Sequence, residues 1–286
     1  MFTRIWIYFI ETFKLPSRLA LTVLNVFIIQ LYTINQFDPY LFLIGSVVLF
    51  FSLLYYRICD EFKDEETDKI FFPDRPLPSG RVKKEDLKGL RLLAGFFLLS
   101  FPLLSLPSVL WGYFVFIDCL LMQFYFFVPK KMEKNRILAF ATHAPYAIVV
   151  NFYLVALHCL PNNIPILSSQ NIALIIALSI PGFHWEVIRK TFIRERPGYQ
   201  TYSSLLGYQG AIFLSLVFFI PITIALKIIL LKVYFIPLVT LFIVYGVHIW
   251  GLGLHEKEGS ISLQAKSEFI STVIVLVLLW QGIKGI

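Results

Sequence analysis

Residues 39–56 read PYLFLIGSVVLFFSLLYY, and the chain continues at residues 57–68 as RICDEFKDEETD. The first segment carries no charged side chain, whereas the second holds six carboxylates. An apolar helix of about 20 residues is needed to cross roughly 30 Å of hydrocarbon. The change from apolar to acidic sequence therefore predicts a membrane-spanning helix with a dense cluster of charge at its end.

The rest of the chain repeats the apolar pattern. Of its 286 residues, 58% are hydrophobic and 15% are charged, and the mean hydropathy is +0.75, whereas soluble domains carry about 25% charged residues. The alternation typical of a membrane barrel is not visible, so helices must satisfy the backbone in lipid. We predict an all-α, polytopic integral membrane protein in which residues 1–286 form a single transmembrane domain. Nine predicted spans are centred near Asn25, Val48, Gly95, Phe116, Val149, Ile176, Ser215, Leu241 and Ile274.

The basic residues fall mostly on one side of these spans. Only Lys227, Lys232 and Lys284 lie on the other side, so the 25 basic residues divide 22 to 3. The positive-inside bias then places the N-terminus in the cytoplasm and the C-terminus outside, in an inner or plasma membrane. The net charge of +7 is accordingly a topology signal, and no nucleic-acid partner is predicted.

The first residues and the cysteines carry weaker signals. Residues 1–14 mix aromatic and charged side chains, which is typical of an amphipathic helix lying in the membrane interface, and no small-residue cleavage site follows them. Cys59, Cys119 and Cys159 stand apart from one another, and we interpret them as buried small hydrophobic residues rather than as metal ligands or a disulfide framework.

The acidic segment after the second span permits two interpretations. On a continuous helix, Asp60, Asp64 and Asp68 are four residues apart and form one stripe. Like charges at this spacing destabilise a helix, and a divalent cation such as Mg²⁺, which prefers carboxylate oxygens, would offset the repulsion. The alternative is a solvated, charged helix end.

The segment RPLPSGR at residues 75–81 follows closely. Its prolines break a helix and hold the backbone stiff, and the arginine guanidinium is suited to planar recognition of phosphate. Taken without its neighbours, the segment would be a loop and nothing more.

These two elements together resemble the first signature of the UbiA superfamily of intramembrane prenyltransferases. In that family an Asn or Asp and then two Asp at four-residue steps precede an Arg-Pro-Leu-x-Ser-Gly element. The resemblance extends over most of the chain, through a VPKK loop at residues 128–131 and a second loop that ends in Thr201, Tyr202 and Ser203 with Gly207 close behind.

The resemblance implies a UbiA-like helical bundle and a Mg²⁺-dependent enzyme. It would move an isoprenyl group from an isoprenyl diphosphate donor to a lipophilic acceptor in the membrane lipid, commonly an aromatic ring, with its polar site on cytoplasmic loops 58–90 and 184–208. Carried over residue by residue, the resemblance implies metal ligands at Asp60, Asp64, Asp68 and Glu186, of which Asp60, Asp64 and Glu186 are also catalytic, and diphosphate-binding groups at Arg75, Lys130, Lys131, Arg189 and Lys190.

The second motif departs from the family pattern. The family shows two or three Asp at four-residue spacing there, whereas residues 186–195 read EVIRKTFIRE, with Lys190 where a carboxylate is expected. Three explanations are open: Arg189 and Lys190 contact the diphosphate directly and fewer metals are used, the donor lies differently, or the chemistry has changed. Positive-inside anchoring is the alternative for both cations.

Five further polar residues lie in or beside the spans: Asp118, His143, Tyr146, Asn151 and His184. An ionisable group such as Asp118 within a span indicates function by default, although a hydrogen bond between helices would also account for it. Single histidines are more often satisfied by packing, and the same holds for Tyr146 and Asn151.

Other classes of membrane protein fit less well. A transporter would place its coupling residues near the bilayer midplane, whereas these acids cluster at one rim, and the signature of a CDP-alcohol phosphotransferase is missing. A UbiA-type terpene cyclase is the nearest alternative, because it ionises the same donor, and a non-catalytic diphosphate binder is a more distant one.

Overall fold

The computed structural model describes residues 1–128, 131, 135–192, 198–255 and 260–284, and within these ranges the chain is helical with no strand. The helices, in chain order, are α1 (Phe2–Ile7), α2 (Leu15–Ile34), α3 (Pro39–Lys63), α4 (Glu65–Phe71), α5 (Lys84–Ser100), α6 (Val109–Gln123), α7 (Arg136–His143), α8 (Tyr146–Cys159), α9 (Ser169–Arg189), α10 (Tyr202–Val217), α11 (Phe219–Ile229), α12 (Lys232–His255) and α13 (Ser260–Lys284).

Nine segments of the described chain are long and apolar enough to cross a membrane. They are Leu15–Ile34, Pro39–Lys63, Lys84–Leu104, Leu106–Gln123, Arg136–Asn162, Ser169–Arg189, Tyr202–Ile229, Lys232–Gly251 and Leu263–Lys284. Each predicted centre falls in one of them, so the predicted all-α membrane fold with nine spans is confirmed. Two spans join a pair of consecutive helices, α7 with α8 and α10 with α11.

Local sequence sets where the long helices begin. Asp38 accepts hydrogen bonds from the backbone nitrogens of Tyr40 (2.9 Å) and Leu41 (3.0 Å), and Pro39 occupies the first turn of α3. Ser168 caps α9 in the same way, through the nitrogen of Asn171. Such caps satisfy backbone donors that have no partner inside the helix.

Two central helices organise the bundle. Helix α3 packs against α2, α5 and α6, and α9 packs against α8, α11 and α13. A chain of buried amides joins these groups, because Asn25 Nδ2 donates to Asn151 Oδ1 (3.0 Å) and Asn151 Nδ2 donates to Ser179 Oγ (2.9 Å). Large apolar side chains such as Leu92 remain exposed on the outside, where lipid is the solvent.

The N-terminal segment is helical in α1 and in a π-helical turn at Tyr8–Thr12. It is tied to the chain beyond the second span by two ion pairs, Arg4 Nε to Asp86 Oδ2 (2.6 Å) and Arg81 Nη1 to Glu11 Oε1 (2.7 Å). Its placement in the membrane interface stays a prediction.

Helix α6 meets the turn before it at very close range. A Cβ atom built on Gly112 would lie 2.5 Å from Pro102 Cβ and 3.2 Å from Tyr153 Cε2. The proline ring is rigid and Tyr153 is fully buried, so neither neighbour can move aside cheaply. The close approach therefore requires glycine at this position.

We expect Gly112→Ala to lower the free energy of unfolding by about 1–3 kcal/mol, because the added methyl group overpacks this contact. Thermal unfolding of the purified protein in detergent measures the loss. Gly89→Ala in α5 is the matched control, since a Cβ there meets nothing within 4 Å, and alanine is the better helix former by up to about 1 kcal/mol. Equal melting temperatures for the two variants would contradict the prediction.

Candidate active site

The first acidic motif lies where α3 ends and α4 begins. Asp64 leaves the helical conformation (φ −90°, ψ 3°), so the segment is not one uninterrupted helix. Hydrogen bonds of the helical type nevertheless continue across the break, from Asp64 N to Asp60 O (2.9 Å) and from Asp68 N to Asp64 O (2.7 Å). The four-residue stripe predicted for the three aspartates therefore persists in the backbone.

Asp60 and Lys63 form an ion pair at the end of α3. Lys63 Nζ lies 2.6 Å from Asp60 Oδ1 and 3.2 Å from His143 Nε2 at the end of α7. Because an ammonium group only donates, His143 Nε2 accepts this hydrogen bond, and its Nδ1 then donates to Thr142 Oγ1 (3.0 Å). The second and fifth spans thus meet at a carboxylate, an ammonium and an imidazole.

Asp68 has a different partner. Its side chain is buried, with 6% of its surface exposed, and Arg75 Nη1 lies 2.6 Å from its Oδ2. Burial raises the pKa of Asp68, and the hydrogen bond from Arg75 opposes that effect. The same guanidinium lies over the Phe72 ring at 4.1 Å, so the predicted arginine of the stiff segment is held against α4.

The second motif is an acid between two bases at the end of α9. Arg189 Nε lies 2.5 Å from Glu186 Oε2, and Lys190 Nζ lies 2.8 Å from Glu186 Oε1. Burial and the nearby positive charge of Arg189 lower the pKa of Lys190 to about 8, although Glu186 opposes them. A further anion close to this buried ammonium group would stabilise its charged form.

The two motifs face each other. The charge of Arg189 interacts with that of Asp60, and the charge of Lys63 interacts with that of Glu186. The Tyr199 ring lies 5.1 Å from Phe71 and 5.6 Å from Phe72, which joins the segment after α9 to the one after α3. The structure therefore brings Asp60 of the first motif near Glu186 and Arg189 of the second.

Among the described residues, Lys131, His184 and Asn151 have no contact with this centre. Lys131 is exposed, and Lys130 is outside the described residues. His184 is buried, bonded through Nδ1 to the Ser215 carbonyl (3.1 Å) and through Nε2 to the Tyr245 hydroxyl (2.9 Å). His184, like Asn151, is thus satisfied by packing between helices, which was the alternative to a site role.

A second polar group lies deeper in the bundle, on the face of α3 that carries Asp60. The Tyr56 hydroxyl donates to Asp118 Oδ2 on α6 (2.5 Å), and the Ser52 hydroxyl is hydrogen-bonded to the Tyr146 hydroxyl (2.7 Å). The Tyr56 and Tyr146 rings are 4.0 Å apart. The helix-to-helix hydrogen bond expected as one possibility for Asp118 is therefore present.

Sequence reasoning passed over Lys63 as a member of the site. The sequence does contain an indication, because Lys63 is the one basic residue in segment 60–68, which holds six carboxylates. A lysine one turn after Asp60 neutralises that aspartate on the same helix. The link to His143 joins residues 80 positions apart and leaves no mark in the local pattern.

The carboxylates do not form a ready-made metal cage. Within the described residues, no group of three or more His, Cys, Asp or Glu side chains is placed to hold a metal ion. Mg²⁺ is usually bound by one or two carboxylates together with substrate phosphates and water. Asp60 and Asp64, at the helix break and partly exposed, fit an ion of that kind.

Comparison with known proteins gives a structural match. No sequence-family model matches the chain, and no curated protein matches it in sequence. A solved structure of digeranylgeranylglyceryl phosphate synthase from membranes, a UbiA-superfamily prenyltransferase, superposes with a TM-score of 0.59, 15% sequence identity and coverage of 99% of each chain. The predicted UbiA-like fold is thereby confirmed.

We expect Glu186→Gln to lower the free energy of unfolding by about 1–3 kcal/mol, because it leaves two cations without their carboxylate in a partly buried place. Inorganic diphosphate should then raise the melting temperature more in the variant than in the wild type, since both cations are free to bind it. Thermal unfolding in detergent, with and without diphosphate, measures both effects.

Glu66→Gln is the control for that experiment. Glu66 is 85% exposed and pairs with Lys69 on the surface, so its loss should change stability by less than about 0.5 kcal/mol. The assignment of Glu186 as the counter-charge of Arg189 and Lys190 fails if both glutamate variants respond to diphosphate alike.

Proposed function

We propose that this protein is a Mg²⁺-dependent prenyltransferase of the UbiA type, which transfers an isoprenyl group from an isoprenyl diphosphate to a lipophilic acceptor in the membrane. The observation that carries the proposal is the meeting of Asp60 and Lys63 with Glu186, Arg189 and Lys190 at one end of the bundle. The fold, which matches a membrane prenyltransferase over 99% of both chains, supports it.

Arg189 and Lys190 are proposed to hold the diphosphate directly. Glu186 fixes both cations from one side, which leaves their remaining donors available to phosphate oxygens. With its pKa lowered to about 8, Lys190 is mostly but not fully ionised near neutral pH, and a bound anion would favour its ionised form. Arg75, anchored on Asp68, and Lys130 and Lys131 are proposed to contact the same group.

Asp60 and Asp64 are the residues that we propose hold Mg²⁺. Lys63 pairs with only one oxygen of Asp60. Glu186 has both oxygens paired, and Asp68 is buried against Arg75, so these two acids are less available. When bound, the ion would stabilise the negative charge that develops on the leaving diphosphate. The cations of the second motif supply the same electrostatic stabilisation from the chain itself. We therefore propose that fewer metal ions are needed than in relatives with aspartates in both motifs.

The apolar part of the substrate is proposed to lie among the helices. Tyr and Phe rings make up much of the interior beside α3, and ring faces stabilise a nearby cation by about 0.5–2 kcal/mol. The neighbour's name states a product that contains geranylgeranyl groups and a phosphate. We propose an acceptor of the same general class, a lipophilic molecule that enters from the membrane, with the polar site on the cytoplasmic side.

We expect the purified protein to release diphosphate from geranyl, farnesyl or geranylgeranyl diphosphate when Mg²⁺ and a membrane lipid extract are present, and to stop when the metal is chelated. Asp64→Asn should reduce the rate by about 100-fold, the scale for loss of one group that stabilises developing charge. Phosphate analysis and mass spectrometry of the lipid product give the measurement.

Asp74→Asn is the matched control, because Asp74 is an exposed loop carboxylate and its loss should leave the rate unchanged. A product with the mass of the donor hydrocarbon alone would assign cyclisation instead of transfer. If folded wild-type protein releases diphosphate from none of the donors, the proposed function is wrong and a non-catalytic role takes its place.

A further inference from the structure

The polar face of α3 extends from the acidic motif toward the middle of the helix. Ser52, Tyr56, Asp60 and Asp64 follow one another at four-residue steps, so they lie along one side of the helix. Asp60 and Asp64 belong to the proposed diphosphate site. Ser52 is hydrogen-bonded to Tyr146, and Tyr56 to Asp118. The proposed function gives no role to these two pairs.

Asp118 lies at the depth at which the reacting carbon would be. Its partner Tyr56 is four residues before Asp60, about 6 Å deeper along the helix axis at 1.5 Å per residue. Asp118 itself is five residues before the end of α6 at Gln123, about 7.5 Å from that end. A donor whose diphosphate lies at Asp60 and Asp64 would extend its first carbons to this level.

One oxygen of the Asp118 carboxylate is engaged with Tyr56. The hydrogen bond from Tyr56 to Oδ2 is the one that the described residues make to this carboxylate, which leaves Oδ1 for a substrate. The side chain is partly exposed. An aspartate within a span costs about 2.5–3.5 kcal/mol on the lenient insertion scale, and such residues face the bundle interior or a polar cavity rather than lipid.

Prenyl transfer produces a proton that must be accepted. The bond between the isoprenyl carbon and the diphosphate oxygen breaks, and the electron pair leaves with the diphosphate. A new bond forms between that carbon and a carbon or oxygen of the acceptor, which then loses the proton it carried. A general base at the reacting level accelerates such a step by roughly 10²–10⁴-fold.

We infer that Asp118 is the base that accepts this proton through Oδ1, and that Tyr56 is a positioning residue that fixes the carboxylate through Oδ2. The inference rests on the proposed prenyl transfer and adds a catalytic residue from the fourth span, outside both charged motifs. His143, a base beside Lys63 in the polar site, is unsuitable because its Nε2 already accepts from Lys63 and its Nδ1 donates to Thr142.

The test follows the fate of the isoprenyl group in Asp118→Asn. Full-length protein in detergent receives Mg²⁺, geranylgeranyl diphosphate labelled in the isoprenyl chain, and a membrane lipid extract, and both released diphosphate and labelled prenylated lipid are counted. We expect diphosphate release to fall less than 10-fold, while prenylated lipid formed per diphosphate released falls about 100-fold, as for a lost general base. The label should appear instead as the free isoprenol formed with water.

Two variants control for structure. Asp38→Asn makes the same chemical change in the cap of α3, where asparagine caps equally well. Tyr245→Phe removes a buried hydroxyl that bonds His184 outside the site, and it matches Tyr56→Phe. Tyr56→Phe should lower the yield per diphosphate, by a smaller factor than Asp118→Asn, whereas both controls should keep the wild-type yield per diphosphate.

The outcomes separate this inference from the proposed function. If wild-type protein releases no diphosphate, both are wrong. If it forms prenylated lipid and folded Asp118→Asn keeps the same yield per diphosphate, only the role of Asp118 is overturned. Diphosphate release by the wild type with isoprenol as its sole product would also overturn that role. The role of Asp118 requires a lipid acceptor that loses a proton.

Discussion

A carboxylate at the end of an apolar helix needs a nearby positive charge, and the site depends on this constraint. Lys63 provides that charge for Asp60. Glu186 meets the same constraint with Arg189 and Lys190, and Asp68 meets it with Arg75. Each acid thereby has a cation as its partner close to the apolar spans. The resulting group of side chains is nearly balanced in charge, so the diphosphate that is proposed to bind here would have to exchange partners with it.

Helix α3 connects the membrane fold to this chemistry. Its first half packs among α2 and α8, so closely that a Cβ atom built on Gly45 would lie 3.1 Å from side-chain atoms of both Val26 and Leu154. Its second half carries the polar face that ends at the helix break. Because the same rigid element is fixed by packing at one end and presents the acids at the other, their positions follow from the bundle rather than from a flexible loop.

Sequence alone predicts the nine spans and the acidic stripe, because both depend on neighbours in the chain: hydropathy over about 20 residues, and aspartates at four-residue steps. The contacts that complete the site join residues that are far apart in the chain. Lys63 meets His143 across 80 residues, and Tyr56 meets Asp118 across 62. Histidine is a common residue type in active sites, yet His184 is buried beside Tyr245. Its burial depends on how two helices pack, and the local sequence does not predict that packing.

The pairing of Arg4 with Asp86 has a consequence for the order of events during synthesis. The two residues are 82 positions apart, and the first two spans lie between them. At roughly 5–20 residues per second, the ribosome needs about 4–16 s to make the partner of Arg4. During that interval α3 is already made, and Phe13 packs on its Phe50 ring at 5.5 Å. Apolar packing can therefore position the start of the chain before the ion pair with Asp86 closes on it.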